Sequence, residues 1–97
     1  MAKYVSVVNF TDQGIKVIRN TVERADAFRE TAREMGVEVL EIYWTLGIAD
    51  LVIVVEAPND EIVATLFFSI GSLGNIRAHT MRAFTVDEMS NIVGRIP

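Results

Sequence analysis

The chain has 97 residues, of which 51% are hydrophobic and 23% are charged, and this composition excludes an intrinsically disordered polypeptide. The formal net charge is −4 and the basic residues do not cluster, which argues against binding to nucleic acid. The absence of cysteine excludes disulfides, thiolate catalysis, iron-sulfur clusters and cysteine zinc sites. At this length we expect one domain, residues 1–97.

No stretch of the sequence is suited to a membrane. The longest uncharged segment, residues 62–76, is too short and too polar to span a bilayer. The amino-terminal residues show no secretory signal, so we expect a cytoplasmic protein without a membrane partner.

The first half of the chain is predicted to form a strand, a helix and a second strand. Residues 3–10 are rich in β-branched and aromatic side chains, which predicts a strand, and residues 11–14 then have cap and turn chemistry. Asn20 is the expected helix cap and Gly36 the expected end. One helical stripe is formed by Val22, Ala25, Phe28, Ala32 and Met35. The arginines between residues 19 and 33 alternate with acids, which is typical of a solvated helix face.

Residues 37–44 alternate in the manner of a second strand. The alternation predicts one face with Leu40, Ile42 and Trp44, and an opposite face with Val39, Glu41 and Tyr43. The next strand, residues 50–56, is apolar on both faces, which is typical of a central strand that is covered twice.

The last third of the chain predicts a helix, a strand and a terminal helix. Pro58 and Asn59 supply a start signal, and Gly71 and Gly74 an end. The apolar stripe of this helix comprises Ile62, Val63, Leu66, Phe67, Ile70 and Leu73. Residues 76–84 predict the fourth strand, and a capping box from Thr85 to Glu88 opens a final helix that ends near Gly94.

The predicted order, βαββαβ plus a C-terminal helix, is the ferredoxin-like pattern of the α+β class with an antiparallel sheet. Two helices would cover one face of the sheet. Because the third strand is apolar on both faces, the other face of the sheet must also be covered. A mean hydropathy of +0.31 also leaves apolar surface for a contact between subunits. We therefore expect a homo-oligomer of the dimeric α/β-barrel type, in which the open faces of two sheets meet.

Three segments carry a family resemblance: YVSVVNFTDQG at 4–14, TLGIADLVIVVEAPNDE at 45–61 and GNIRAHTMRAF at 74–84. They resemble the GYD-domain family, and the resemblance covers nearly the whole chain. It implies a ferredoxin-like fold with dimeric α/β-barrel assembly and implies no reaction, since the family is largely uncharacterised. The namesake Gly-Tyr-Asp element is Gly47-Ile48-Ala49-Asp50 here, so the tyrosine is replaced and a turn-geometry role is expected for Gly47 and Asp50.

Six residues are candidate ligand contacts: Asn9, Asp12, Gln13, Trp44, Arg77 and His79. The lone His79 shares a predicted strand face with Arg77 and Met81, where it could transfer a proton or bind a ligand. A structural role within a subunit interface is favoured, because no second His or Cys completes a metal site. We therefore expect no metal and no cofactor.

The other four candidates also have structural alternatives. Asp12 and Gln13 follow a strand end, where sites tend to lie, but a helix cap with a glycine turn is the favoured interpretation of residues 11–14. Asn9, Trp44 and His79 match in type the Asn, Trp and His of haem-degrading enzymes with dimeric-barrel architecture, without any matching motif.

These observations favour a homo-oligomeric module that binds a small apolar or amphipathic ligand between sheet and helices. One alternative is a cofactor-independent oxygenase or isomerase, which would need a polar, solvent-connected pocket containing His79 or residues 11–14; its catalytic residues are unknown. A third hypothesis is an interaction domain whose partner binds the outer helices.

Two packing expectations follow from side-chain direction. Phe68 points away from the apolar stripe of its helix, so another subunit or the terminal helix should cover it. Glu41 and Arg77 or His79 belong to opposite edges of one sheet, so they should meet only across a two-fold interface.

Overall fold

The computed structural model describes all 97 residues and contains one four-stranded antiparallel sheet with the strand order β2-β3-β1-β4. The elements are β1 (Ala2–Phe10), α1 (Asp12–Lys16), α2 (Thr21–Glu34), β2 (Glu38–Trp44), β3 (Leu51–Ala57), α3 (Asp60–Gly71), β4 (Ile76–Ala83) and α4 (Val86–Gly94). A 3-10 turn, Ile18–Asn20, joins α1 to α2. The predicted α+β class is confirmed, and the arrangement is consistent with a ferredoxin-like fold.

The hydrophobic core lies between one face of the sheet and the helices α2 and α3. Alternate residues of the two central strands point into it, so that each strand buries one side of its pleat. The largest buried side chains are Tyr4, Val8, Phe28, Val37, Leu51, Ile53, Val55, Val63, Leu66 and Phe67. The rings of Phe28 on α2 and Phe67 on α3 are 5.6 Å apart, which locks the two helices together.

The second face of the sheet carries no helix, and we call it the open face. Its centre is apolar, with Val5 and Val7 of β1 beside Val54 and Val52 of β3. All four side chains are half-buried. The remaining side chains on this face are Lys3, Asn9, Glu38, Glu41, Tyr43, Glu56, Arg77, His79, Met81 and Ala83. The two-sided apolar character predicted for β3 is confirmed.

A β-bulge in β2 makes one predicted side-chain orientation wrong. Val39 pairs with Val55 and Glu41 pairs with Val54, so the ladder is irregular at Leu40. An extra residue shifts the alternation by one position. Val39 therefore lies on the helix-covered face, while Glu41 and Tyr43 lie on the open face as predicted.

Most of the predicted helix caps are present, but three residues near helix ends differ from the prediction. Asn59 Oδ1 accepts the Ile62 N–H at 3.0 Å, and the Thr85–Glu88 capping box is complete. Asn20 occupies the cap position of α2 without a side-chain hydrogen bond. The predicted burial of Val22 and Leu73 is wrong, because Val22 lies in the first turn of α2 and Leu73 beyond the end of α3, where nothing covers them.

The terminal helix α4 contributes no buried residue to the fold. Phe68 on α3 is 79% exposed, so the expectation that the terminal helix covers it is wrong. Phe68 does point away from the core, as the helical spacing predicts.

No helix of the chain combines the length and the apolar character needed to cross a lipid bilayer.

Candidate functional site

The open face gathers three of the six candidate residues. Asn9 lies opposite Arg77 in the β1-β4 ladder, and His79 lies opposite the neighbouring Val7. Arg77 and His79 are exposed on an edge strand, while Asn9 is half-buried at the end of β1. The shared face of Arg77, His79 and Met81 follows the predicted alternation.

Gln13 fastens the connection between α3 and β4 rather than facing a cavity. Its Nε2 donates to the Leu73 carbonyl at 3.1 Å and to Asn75 Oδ1 at 2.9 Å. Thr11 caps α1 by accepting the Gly14 N–H at 3.0 Å, and its hydroxyl donates to the Gly74 carbonyl at 2.5 Å. Asp12 is exposed in the first turn of α1, where its carboxylate interacts favourably with the positive end of the helix dipole.

Gly14 lies inside α1 rather than in the glycine turn considered for this segment. It is buried, and a Cβ at this position would lie 1.9 Å from the Asn75 carbonyl oxygen. Gly14 therefore permits close contact between α1 and the α3-β4 connection.

Trp44 lies on the opposite face of the sheet from Asn9 and His79, the two residues with which it was compared to haem-degrading enzymes. It pairs with Leu51 on the helix-covered face, and its indole Nε1 donates to Thr21 Oγ1 at 3.0 Å. Asn9 and His79 lie on the open face. The structure thus does not bring Asn9, Trp44 and His79 together, which removes the geometric basis for an analogy with haem-degrading enzymes.

The connection from β2 to β3, residues 45–50, is tied firmly to the end of β1, and we call it the hairpin tip. Asp50 Oδ2 accepts the Phe10 N–H at 2.8 Å, and the Asp50 N–H donates to the Val8 carbonyl at 2.9 Å. Gly47 has a φ of +107°, a backbone conformation that residues with a Cβ atom rarely adopt. These contacts agree with a turn-geometry role for Gly47 and Asp50.

Two apolar side chains at the hairpin tip project into solvent. Leu46 and Ile48 are 101% and 98% exposed. The loop that carries them is held by hydrogen bonds at both ends, since Thr45 and Asp50 also bond to each other through their backbones at 2.8 Å. The hairpin tip therefore presents two exposed apolar side chains on a loop that hydrogen bonds hold in place. Exposed apolar surface of this kind often marks a contact site.

Two principal cavities lie on the helix side of the sheet. The first, of about 170 Å³, lies between α2, α3 and the strands, and we call it the helix-sheet cavity. The second is a groove of about 700 Å³ between α3 and β4, whose walls include Tyr4, Asp60, Thr80 and Arg82. Neither is lined by His79 or by residues 11–14. No three His, Asp or Glu side chains converge in the structure.

The groove between α3 and β4 contains a polar cluster that sequence reasoning missed. The buried Tyr4 phenol donates to Asp60 Oδ1, and this hydrogen bond, followed by burial, raises the pKa of Tyr4. The Arg82 guanidinium lies 5.8 Å from the Tyr4 ring centre and pairs with Glu88 at 3.1 Å. Tyr4 and Arg82 are opposite in the β1-β4 ladder, so only the strand register reveals the cluster.

The two edges of the open face carry different charge. Arg77 and His79 lie on β4, while Glu41 lies on β2, where its carboxylate raises the pKa of the neighbouring Tyr43 phenol. Between them, Lys3 and Glu56 form an ion pair at 3.5 Å. When two such faces meet about a two-fold axis parallel to the strands, the acidic edge of one copy lies against the basic edge of the other.

A sequence model of the GYD domain matches residues 4–93. The chain belongs to the GYD domain family. This GYD-family chain is also 30% identical over 90 residues to a Thermus thermophilus protein named "Glutamine synthetase and cystathionine beta-lyase binding protein". The similarity covers 92% of this chain and 95% of that relative. The resemblance expected from the three sequence segments is thereby confirmed.

Proposed function

We propose that this GYD-family chain is a homo-oligomeric protein-interaction module that binds metabolic enzymes. The observation that carries the proposal is the open face, whose four central valines no element of the chain covers. The name of the Thermus thermophilus relative, which describes a protein that binds two enzymes, supports the choice of partner. A cytoplasmic location, expected from the sequence, is part of the proposal.

The open face is assigned to self-association. Its apolar centre gains from burial against a matching sheet, and a two-fold axis makes the contact self-complementary. Glu41 of one copy would then meet Arg77 or His79 of the other, since these residues occupy opposite edges of the sheet. Glu41 needs such a partner, because burying its carboxylate away from water without a paired charge would destabilise the assembly.

The hairpin tip is assigned to the enzyme contact. Leu46 and Ile48 are fully exposed, so a partner can bury both side chains completely. The hydrogen bonds that hold the tip reduce the conformational entropy lost on binding. Fully desolvated apolar anchors of this kind contribute most of the affinity in many interfaces.

Light scattering and biolayer interferometry test the two assignments separately. Val54→Asp places a charge in the centre of the open face and should lower the mass of the assembly, whereas Val22→Asp, an exposed control on α2, should not. Leu46→Ser with Ile48→Ser should weaken binding to purified glutamine synthetase or cystathionine beta-lyase at least about tenfold and leave the assembly intact. Val86→Ser on α4 is the matched control, because Val86 is also largely exposed.

Opposite outcomes would overturn these assignments. Unchanged mass for Val54→Asp would refute self-association through the open face. Binding of neither enzyme by the unaltered chain would refute the choice of partner.

A second candidate function is binding of a small apolar or amphipathic ligand, which the helix-sheet cavity favours. Most residues in its wall are hydrophobic, and its position between sheet and helices is the one expected from the sequence. The alternative of a cofactor-independent enzyme required a pocket with His79 or residues 11–14, and neither principal cavity meets that condition.

A further inference from the structure

The helix-sheet cavity has an apolar wall interrupted by one charged residue. Val8, Ile42, Leu51 and Ile53 form the sheet side, and Phe28 contributes from α2. Thr21, Thr31 and Asn75 are the uncharged polar residues of the wall, and no carboxylate lines it. The exposed Leu73 marks one rim, so the cavity has a route to solvent.

Arg24 on α2 is that charged residue, and one nitrogen of its guanidinium is unsatisfied. Its Nη1 atom is buried without a hydrogen-bond partner. The ion pairs of the chain are formed by Lys3, Arg33 and Arg82, so Arg24 has no acidic partner either. A solvated, paired helix face, expected for these arginines, is therefore wrong for Arg24. An unsatisfied buried donor is costly, and Arg24 also lines the cavity without an acidic partner, so an acceptor bound beside its guanidinium would be favoured.

We infer that the helix-sheet cavity binds a small amphipathic monocarboxylate, whose carboxylate pairs with the Arg24 guanidinium while its hydrocarbon part contacts the apolar wall. The inference rests on the second candidate function and names its ligand class. A single guanidinium in an otherwise neutral wall balances one negative charge, which favours a carboxylate over a doubly charged phosphate.

The cavity volume limits the size of the ligand. A cavity of about 150 Å³ is known to hold benzene, so about 170 Å³ accommodates a chain or ring of about six carbon atoms. The hydrocarbon part gains by leaving water, and the charge fixes its orientation in the cavity.

Calorimetric titration with hexanoate, hexan-1-ol, acetate and inorganic phosphate tests charge and chain separately. Hexanoate should bind at least about tenfold more tightly than each of the other three, because it alone provides both the charge and the chain. Arg24→Gln should reduce hexanoate affinity about tenfold or more and leave hexan-1-ol affinity unchanged. Arg29→Gln, an exposed arginine on the same helix, is the matched control and should behave as the unaltered chain.

Filling the cavity provides a test that keeps Arg24. Ala25→Leu adds volume at the wall and should abolish hexanoate binding, with folding verified by circular dichroism. If hexanoate and hexan-1-ol bind equally, or Arg24→Gln binds hexanoate normally, the carboxylate assignment is refuted while ligand binding stands. If no probe binds at about 10 mM, ligand binding itself is refuted. Oligomer mass and enzyme binding are measured without these probes, so either failure is distinguishable from failure of the interaction module.

Discussion

Gly14→Ala is the sharpest test of how the candidate segment at residues 11–14 is built. A Cβ at position 14 would lie 1.9 Å from the carbonyl oxygen of Asn75 and 2.8 Å from its carbonyl carbon. Both contacts are with backbone, so no side-chain rotation relieves them. The α1 helix and the α3-β4 connection must therefore separate by about 1.5 Å to restore ordinary contact.

The stability lost follows from the hydrogen bonds that cross this contact. The Thr11 N–H donates to the Asn75 carbonyl at 3.1 Å, and Gln13 donates to Leu73 and Asn75. Each bond contributes about 0.5–1.5 kcal/mol, and overpacking costs about 1–3 kcal/mol. Since part of the network can reform after the shift, we expect Gly14→Ala to lower the free energy of unfolding by about 2–4 kcal/mol.

Urea unfolding followed by circular dichroism at a fixed protein concentration measures this loss. Gly71→Ala is the control, because Gly71 ends α3 with no atom within 4 Å of its would-be Cβ. It should be neutral or stabilise the chain by about 0.5–1 kcal/mol. If Gly14→Ala costs less than about 0.5 kcal/mol, the close approach of α1 to Asn75 is not as described.

Three further predictions concern the polar cluster, the open face and the outer side of α3. The Asp60 hydrogen bond raises the pKa of Tyr4 above its ordinary value of 10.0, so its contribution to stability holds below pH 10 and is lost at higher pH. The stability difference between the unaltered chain and Tyr4→Phe should therefore shrink above pH 10; a constant difference in urea titrations would contradict this. Glu41→Ala and Arg77→Ala should each weaken the dimer, and the double variant should lose less than the sum, with a coupling of about 0.5–3 kcal/mol in sedimentation equilibrium. Strict additivity would show that the two side chains do not interact. Phe68→Asp should lower the subunit number or the melting temperature, because we expect another subunit to cover this side chain; no change in either would show that nothing covers it.

Local signals explain the parts of the fold that the sequence predicted correctly. The capping box at Thr85 and the asparagine cap at Asn59 act within one helical turn, so their residues predict the helix starts directly. The two-sided apolar character of β3 is likewise visible in seven adjacent residues. Strand alternation correctly placed Arg77 and His79 on one face, since it depends on neighbouring residues alone.

The misses depend on contacts between distant segments. The bulge at Leu40 arises from pairing with β3, and alternation assumes uninterrupted pairing. The Tyr4-Arg82 contact needs the register of β1 against β4. Arg24 belongs to a charged helix pattern in sequence, and only the packing of α2 across the sheet shows that it lines a cavity and buries one guanidinium nitrogen.

The mass of the chain in solution shows whether the open face mediates self-association, on which the proposed interaction module rests. Size-exclusion chromatography with light scattering at micromolar concentration should give at least twice the chain mass of 10.8 kDa, and Val54→Asp should lower that mass. A monomeric mass for the unaltered chain would contradict the account, because the valines of the open face would then be exposed without a partner.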